Sequence, residues 1–299
     1  MSTQNIPFYE LLGNWRSAAT AMGIPENAYH PTMKIVRDKH SSFSFGVYLN
    51  EYRFARFDKI IGDCTLCDAI ALAREEPQRM IFPENELPGF IITPNAFPLI
   101  EGASIAITTS DTPMYTTLQT AGVAEELRTV LDFCAEKGFR AYHNCEGFGA
   151  TLPHHEHWHL TTFPQLYAQS NGPFGFDGCT REEVKNTGTW ILPDYPFSHI
   201  LFDEKNTGRI ELFIERLGKE YGHHFASEEV PHVLCQGEHG ILLVVANRYV
   251  HRGLGSGDAA GHFVCKTREE FEKANFEYCM TRLQDQLALP KDIDLTKFL

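Results

Sequence analysis

The sequence predicts an α+β protein, with antiparallel sheets and helices packed on them. Three observations carry that reading. SFSFGVYLNEYRFARF (42–57) shows strand-like alternation around an Asn-containing turn, and GFIITPNAFPLIEGASIAITTS (89–110) reads as two strands hinged at Pro-containing steps, as in a meander. Residues 120–137 set Val123, Leu127, Val130, Leu131 and Cys134 on one helical face. Both halves of the chain run from strands with a proline-containing turn to a helix and a further strand, a pattern that hints at two degenerate repeats.

Taken in order, residues 1–40 read as a helical arm and a loop. Residues 42–57 read as strands around a turn at Asn50. DCTLCDAIALAREEPQ (63–78) carries Cys64-x-x-Cys67 into a helix, and residues 89–110 form two strands hinged at the Pro-Asn and Pro-Leu steps. The helix over 120–137 stops at Gly138, where a glycine suits the residue after a helix end. FRAYHNCEGFGATLPHHEHWHLTTF (139–163) is strand, glycine-bearing loop, strand. The Gly-, Asn- and Ser-rich stretch 168–188 joins the halves, so the expected units are 1–168 and 185–299. The second unit reads as strands around a Pro-rich turn (189–202), an amphipathic helix (209–225), a buried strand (239–250), a mobile glycine-rich loop and a terminal helix.

The chain has 299 residues, 43% apolar and 22% charged, with a formal net charge of −13. That balance argues against a nucleic-acid polymer as partner, yet allows a small phosphorylated ligand in a pocket lined with N–H groups. Its eight cysteines mostly sit singly in apolar runs, which suits buried thiols in a reducing, cytoplasmic setting. The first residues lack the pattern of a signal peptide, and no run of about 18 apolar residues exists, so no membrane partner is expected.

GATLPHHEHWHLTTFP (149–164) holds the densest chemistry. On a strand, His155, His157 and His159 share one face at ~7 Å spacing, and His154, Glu156 and Trp158 share the other. The row suits a metal site, since imidazole is a common ligand. It equally suits nucleophilic catalysis, in which a central imidazole attacks phosphorus between orienting neighbours. Gly147 and Gly149, just upstream, let backbone N–H groups approach an anion, and Thr151 adds a hydroxyl. A phosphate needs such a cradle and a metal does not.

These residues resemble the histidine-triad superfamily. They are most similar to its transferase branch: galactose-1-phosphate uridylyltransferase, diadenosine tetraphosphate phosphorylase and the GDP-hexose phosphorylases. The matching elements are Asn144, Gly147, Gly149-Ala150-Thr151 and His155-Glu156-His157-Trp158-His159, preceded in the same order by NEYRFARF, Cys64-x-x-Cys67 and PNAFPLIEGASIAITT. The resemblance covers residues 45–165 and is looser over the second half, resting there on DYPFSHILF and ILLVVANRYVHRG.

The resemblance implies an enzyme that transfers a nucleoside monophosphate through a covalent histidine to phosphate or a sugar phosphate, its partner being a small nucleotide conjugate. His157 would be the nucleophile, with a neighbouring group, commonly a backbone carbonyl, bonding its other ring nitrogen and fixing its tautomer. Thr151, His159 and loop N–H groups would hold phosphate oxygens, and Asn95 and Asn144 would contact nucleotide. The chain departs from the branch at the third position, where His159 replaces glutamine and a histidine-triad hydrolase becomes the alternative. It departs again at a zinc position, where Asp111 stands in place of histidine. Cys64, Cys67, Asp111 and His155 are the candidate ligands of a structural zinc, against two ordinary thiols at a helix start. A zinc enzyme using His155, His157 and His159 is a further alternative. Arg248 and Arg252 could supply positive charge near phosphates, against a solvated strand end, and Gly253-Leu254-Gly255-Ser256-Gly257 reads as loop rather than dinucleotide fingerprint.

Overall fold

The alternation of β3 (Phe90–Pro94) and β4 (Ser104–Thr108) pairs them antiparallel across a turn in which Gly102 takes a left-handed φ of 82°. In the computed structural model, which describes residues 8–52, 64–110, 123–145, 155–162, 175–185, 187–204, 207–221, 232–245, 255–287 and 294–299, this hairpin opens a nine-stranded antiparallel sheet. Its remaining strands are β5 (Arg140–Asn144), β6 (His157–Thr161), β7 (Glu182–Glu183), β8 (Thr189–Ile191), β9 (His199–Phe202), β10 (His232–Gln236) and β11 (Ile241–Val245). The spatial order is β3-β4-β6-β5-β10-β11-β9-β8-β7. The α+β class read from the sequence is the class found.

Helices α1 (Phe8–Ala21), α3 (Val123–Lys137) and α4 (Thr207–Tyr221) cover one face. Trp15, Leu127, Leu131, Ile210 and Phe213 pack there on Ala106, Ala141, Trp158, Leu160, Leu234 and Leu243. The end of α3 is the expected one: Gly138 has φ 80°, and the Phe139 N–H reaches back to the Cys134 carbonyl at 2.9 Å. The other face is covered in two patches. Helix α2 (Thr65–Glu75) lays Leu66, Ile70 and Ala73 on Ile91 and Ile107. A three-stranded sheet of β1 (Thr32–Arg37), β2 (Ser44–Leu49) and β12 (His262–Cys265) packs Phe43, Phe45 and Phe263 on Tyr142, Val233, Leu242 and Val244. β6 runs between the two patches.

Strands β1, β10 and β12 correct the sequence reading, which had a loop in residues 1–40 and no strand at HVLCQ or HFVC. After Asn50 the chain is helical at 51–52, the rest of the second strand expected there (53–57) lies outside the described residues, and the Asn50 amide donates to the Ala28 and Pro98 carbonyls at 3.0 Å each. Part of the glycine-rich loop is also ordered: Ser256–Ala259 form the short helix α5. Helices α6 (Arg268–Lys273) and α7 (Phe276–Leu287) follow β12. Among the described residues no helix is long and apolar enough to cross a membrane.

Candidate functional site

β6 puts Trp158 and Leu160 into the helix-side core and turns His157 and His159 to the other face. There the register sets Ile107 beside His157, and both Ile105 and Tyr142 beside His159. His157 is buried and His159 partly exposed, their ring centroids 5.2 Å apart at 73°. His155 lies just before the strand and is held apart from the other two.

The His155 and His157 rings are each oriented by a carbonyl. His155 Nε2 lies 2.8 Å from the Thr108 carbonyl oxygen, and His157 Nδ1 lies 2.9 Å from the His155 carbonyl oxygen. A carbonyl only accepts, so both nitrogens carry the proton. In His157 this leaves Nε2 as the bare nitrogen. Burial pushes the His157 pKa down to about 4, so the ring is neutral at pH 7. In His155 it leaves Nδ1 as the bare nitrogen, 3.5 Å from Cys64 Sγ and 3.3 Å from Cys67 Sγ. Cys64 precedes the first turn of α2, which brings the two thiols to one side. The donor atoms of Cys64, Cys67 and His155 lie within 4.8 Å of one another, the only such group among the described residues. Thiolates with an imidazole whose far nitrogen is tied to a carbonyl are a donor set that suits zinc.

Behind the row stands a pair that sequence reasoning missed. His143 Nε2 and Glu156 Oε1 are 2.8 Å apart and fully buried. Burial pushes the Glu156 carboxyl well up and the His143 imidazole down to about 4. Both shifts favour the uncharged forms. His143 also stacks on Trp158 at 4.5 Å. Alternation could have flagged it, since His143 and Glu156 both take the face of Trp158.

Of the other candidates, Asn144 ends β5, and its Oδ1 accepts from the Ser256 N–H at 2.6 Å. Asn95 sits at the β3–β4 turn, where its Oδ1 closes a local turn onto the Phe97 N–H at 2.9 Å. Gly147, Gly149, Thr151, Asp111, Arg248 and Arg252 lie outside the described residues.

No family model matches the chain, and no curated protein matches its sequence. Solved structures do. The crystal structure of yeast Ap4A phosphorylase Apa2 aligns over 98% of this chain and 98% of its own, with a TM-score of 0.63 at 13% identity. The same protein in complex with AMP aligns over 94% and 96%, with a TM-score of 0.61 at 14% identity. Its complex with Ap4A covers 94% and 97%, with a TM-score of 0.62 at 13% identity. At that identity the likeness establishes the fold, and it is the fold expected from the histidine-triad resemblance.

Proposed function

We propose that this chain is a nucleotidyltransferase or phosphorylase that passes a nucleoside monophosphate through His157 to phosphate or a sugar phosphate. One observation carries the reading. The His155 carbonyl holds the proton on His157 Nδ1, which leaves a neutral ring with Nε2 bare on the face of β6 turned away from the helices. The shared fold with a phosphorylase crystallised with AMP and Ap4A supports it.

The Nε2 lone pair attacks the phosphorus of the bound nucleotide. A P–N bond forms, the P–O bond to the departing phosphate breaks, and the electron pair leaves on that oxygen. An acceptor oxygen then attacks the same phosphorus, and the P–N pair returns to Nε2. Throughout, the His155 carbonyl steadies the positive charge that the ring carries while phosphorylated. His159, its ring 5.2 Å from that of His157, would bond a phosphate oxygen. Cys64, Cys67 and His155 would hold a structural zinc, which when bound supplies a cross-link between α2 and the row. His155 would serve both ends, its ring toward the thiols and its carbonyl toward His157.

Histidine at position 159 supports a second reading, hydrolysis, because an imidazole can take a proton from water where glutamine cannot. A single experiment tests both. Incubation with phosphorus-labelled Ap4A should leave acid-labile, base-stable label on the protein, absent from His157→Ala. Decay of that label should speed up at least tenfold with phosphate or a sugar phosphate. Near-normal turnover by His157→Ala would overturn the nucleophile assignment. Decay indifferent to every acceptor, and slowed in His159→Gln, would establish the hydrolase.

A further inference from the structure

The β5–β6 pairing ends at Tyr142 and His159, and Asn144 and His157 each lie two residues beyond it, on the same face of their strands. Asn144 is buried, and its amide is not free to turn. The atom 2.6 Å from the Ser256 N–H must be the oxygen, since an N–H cannot bond to an NH2 group. The amide is thereby fixed with Nδ2, a double donor, as the half that Ser256 does not take.

Two residues of the second half impose this. Ser256 supplies the N–H. Gly255 supplies the space: a Cβ there would stand 2.9 Å from Asn144 Oδ1, 3.5 Å from Cγ and 3.6 Å from Nδ2, with nothing nearer. The backbone itself does not require glycine, because φ −154° and ψ −170° are extended values open to any residue. The segment is anchored from behind: the Gly255 N–H donates to Asp258 Oδ2 at 3.0 Å, and Cys235 Sγ donates to the Ser256 carbonyl at 3.3 Å.

We infer that Gly255 and Ser256 are positioning residues for the transfer reaction, fixing the Asn144 amide so that its NH2 group meets the phosphate on His157. This rests on the reading of His157 given above. It assigns a task to the glycine-rich segment, and makes the half without a histidine row a contributor to the site through one hydrogen bond.

The test uses the full-length protein. Turnover of Ap4A with phosphate by the unaltered chain comes first, and its absence would count against the His157 reading. Five variants then decide the inference. Gly255→Ala adds the Cβ that displaces Asn144. Ser256→Pro removes the N–H together with the side-chain hydroxyl, at a first helical position that tolerates proline and after an extended residue that proline favours, and Ser256→Ala, which keeps the N–H, should stay near wild type. Gly255→Ala and Ser256→Pro should each lower kcat about ten- to a hundredfold, with KM within about threefold and the thermal midpoint little moved, as for a misplaced transition-state donor. Asn144→Asp keeps an acceptor for Ser256 and loses the donor, so it should fall at least as far as Asn144→Ala. Wild-type kcat in Asn144→Asp, or in both Gly255→Ala and Ser256→Pro, would overturn the inference. One arm needs no turnover: the Asn144 side-chain amide resonance should shift in ligand-free Gly255→Ala, and an unmoved signal would overturn it independently.

Discussion

A histidine in this fold is defined by what its two ring nitrogens touch. In His157 and His155 one nitrogen meets a carbonyl and the other is left for chemistry. In His262 both are engaged inside the core, Nδ1 with the Tyr48 hydroxyl and Nε2 with the Tyr142 hydroxyl, each at 3.3 Å. A neutral ring has one N–H, so His262 donates to one tyrosine and accepts from the other. Burial pushes its pKa down to about 3, against about 6.5 in an unfolded chain. Between those values the unfolded state binds the extra proton. The stability that His262 contributes is therefore whole above pH ~6.5 and is lost as pH falls toward 3, at ~1.4 kcal/mol per pH unit. Asp177 and Glu126, pushed up by burial, work in the opposite sense, so the difference between proteins is what informs. Urea titrations from pH 7 to 4 should show a shallower acid-side loss in His262→Gln than in the unaltered chain, by one proton's slope. Parallel profiles would mean that His262 is not buried neutral. At this scale the sequence displayed the histidine row because strand alternation is local. It hid the His143–Glu156 and Tyr48–His262–Tyr142 contacts because their partners come from other strands.

The elements that a local period marks were legible: α2, α3, α4, and the hairpins β3–β4 and β8–β9. Two of the missed strands have separate physical reasons. β10 is buried on both faces like β11, but its apolar run is only three residues between His232 and Gln236, too short to announce a buried strand, and its Gln236 side chain extends the ladder by accepting from the Ala141 N–H at 3.0 Å. β12 pairs in parallel with β2, more than two hundred residues earlier, and nothing near it in sequence announces that partner. The Cys-x-x-Cys at the head of α2 was legible as thiols and ambiguous as a site, until His155 Nδ1 was found facing both. That geometry gives an element-scale expectation. Protein purified with zinc should carry about one equivalent, and chelation should lower the thermal midpoint. A ligand at a hundredfold its Kd contributes ~2.7 kcal/mol to the folded state. Because the metal would brace α2 against the row and not touch phosphate, chelation should cost stability more than the rate of the molecules still folded. Metal analysis and melting curves of Cys64→Ser and Cys67→Ser check this. Undiminished zinc in both variants would place the metal elsewhere.

Across the whole molecule the sheet reads β3-β4-β6-β5 from one end and β8-β9-β11-β10 from the other, with the single outer strand β7 beyond. Each run is a strand pair, a helix (α3 or α4) and a second strand pair, so the repeat hinted at by the sequence is present as topology. The two runs differ in what faces away from the helices. On β6 it is His157 and His159, and on β11 it is Leu242 and Val244, buried under β2 and β12. One half carries the histidine row and the other carries apolar packing at the matching positions. The halves meet at β5 and β10, which pair Tyr142 with Cys235 and Asn144 with Val233. Separating them would expose a bare ladder on each side and open both cores, since the helix-side and opposite-side clusters each draw residues from both runs. Neither half has a core that closes without the other. The intact chain should therefore unfold in one cooperative transition, with a single calorimetric peak whose van't Hoff and calorimetric enthalpies agree. Val233→Asp, which puts a charge into the joint beside Asn144, should move that peak down as a whole rather than split it. Two resolved peaks in the unaltered chain would mean that 1–168 and 185–299 are separately stable units, and that the β5–β10 pairing is a contact between domains instead of the centre of one.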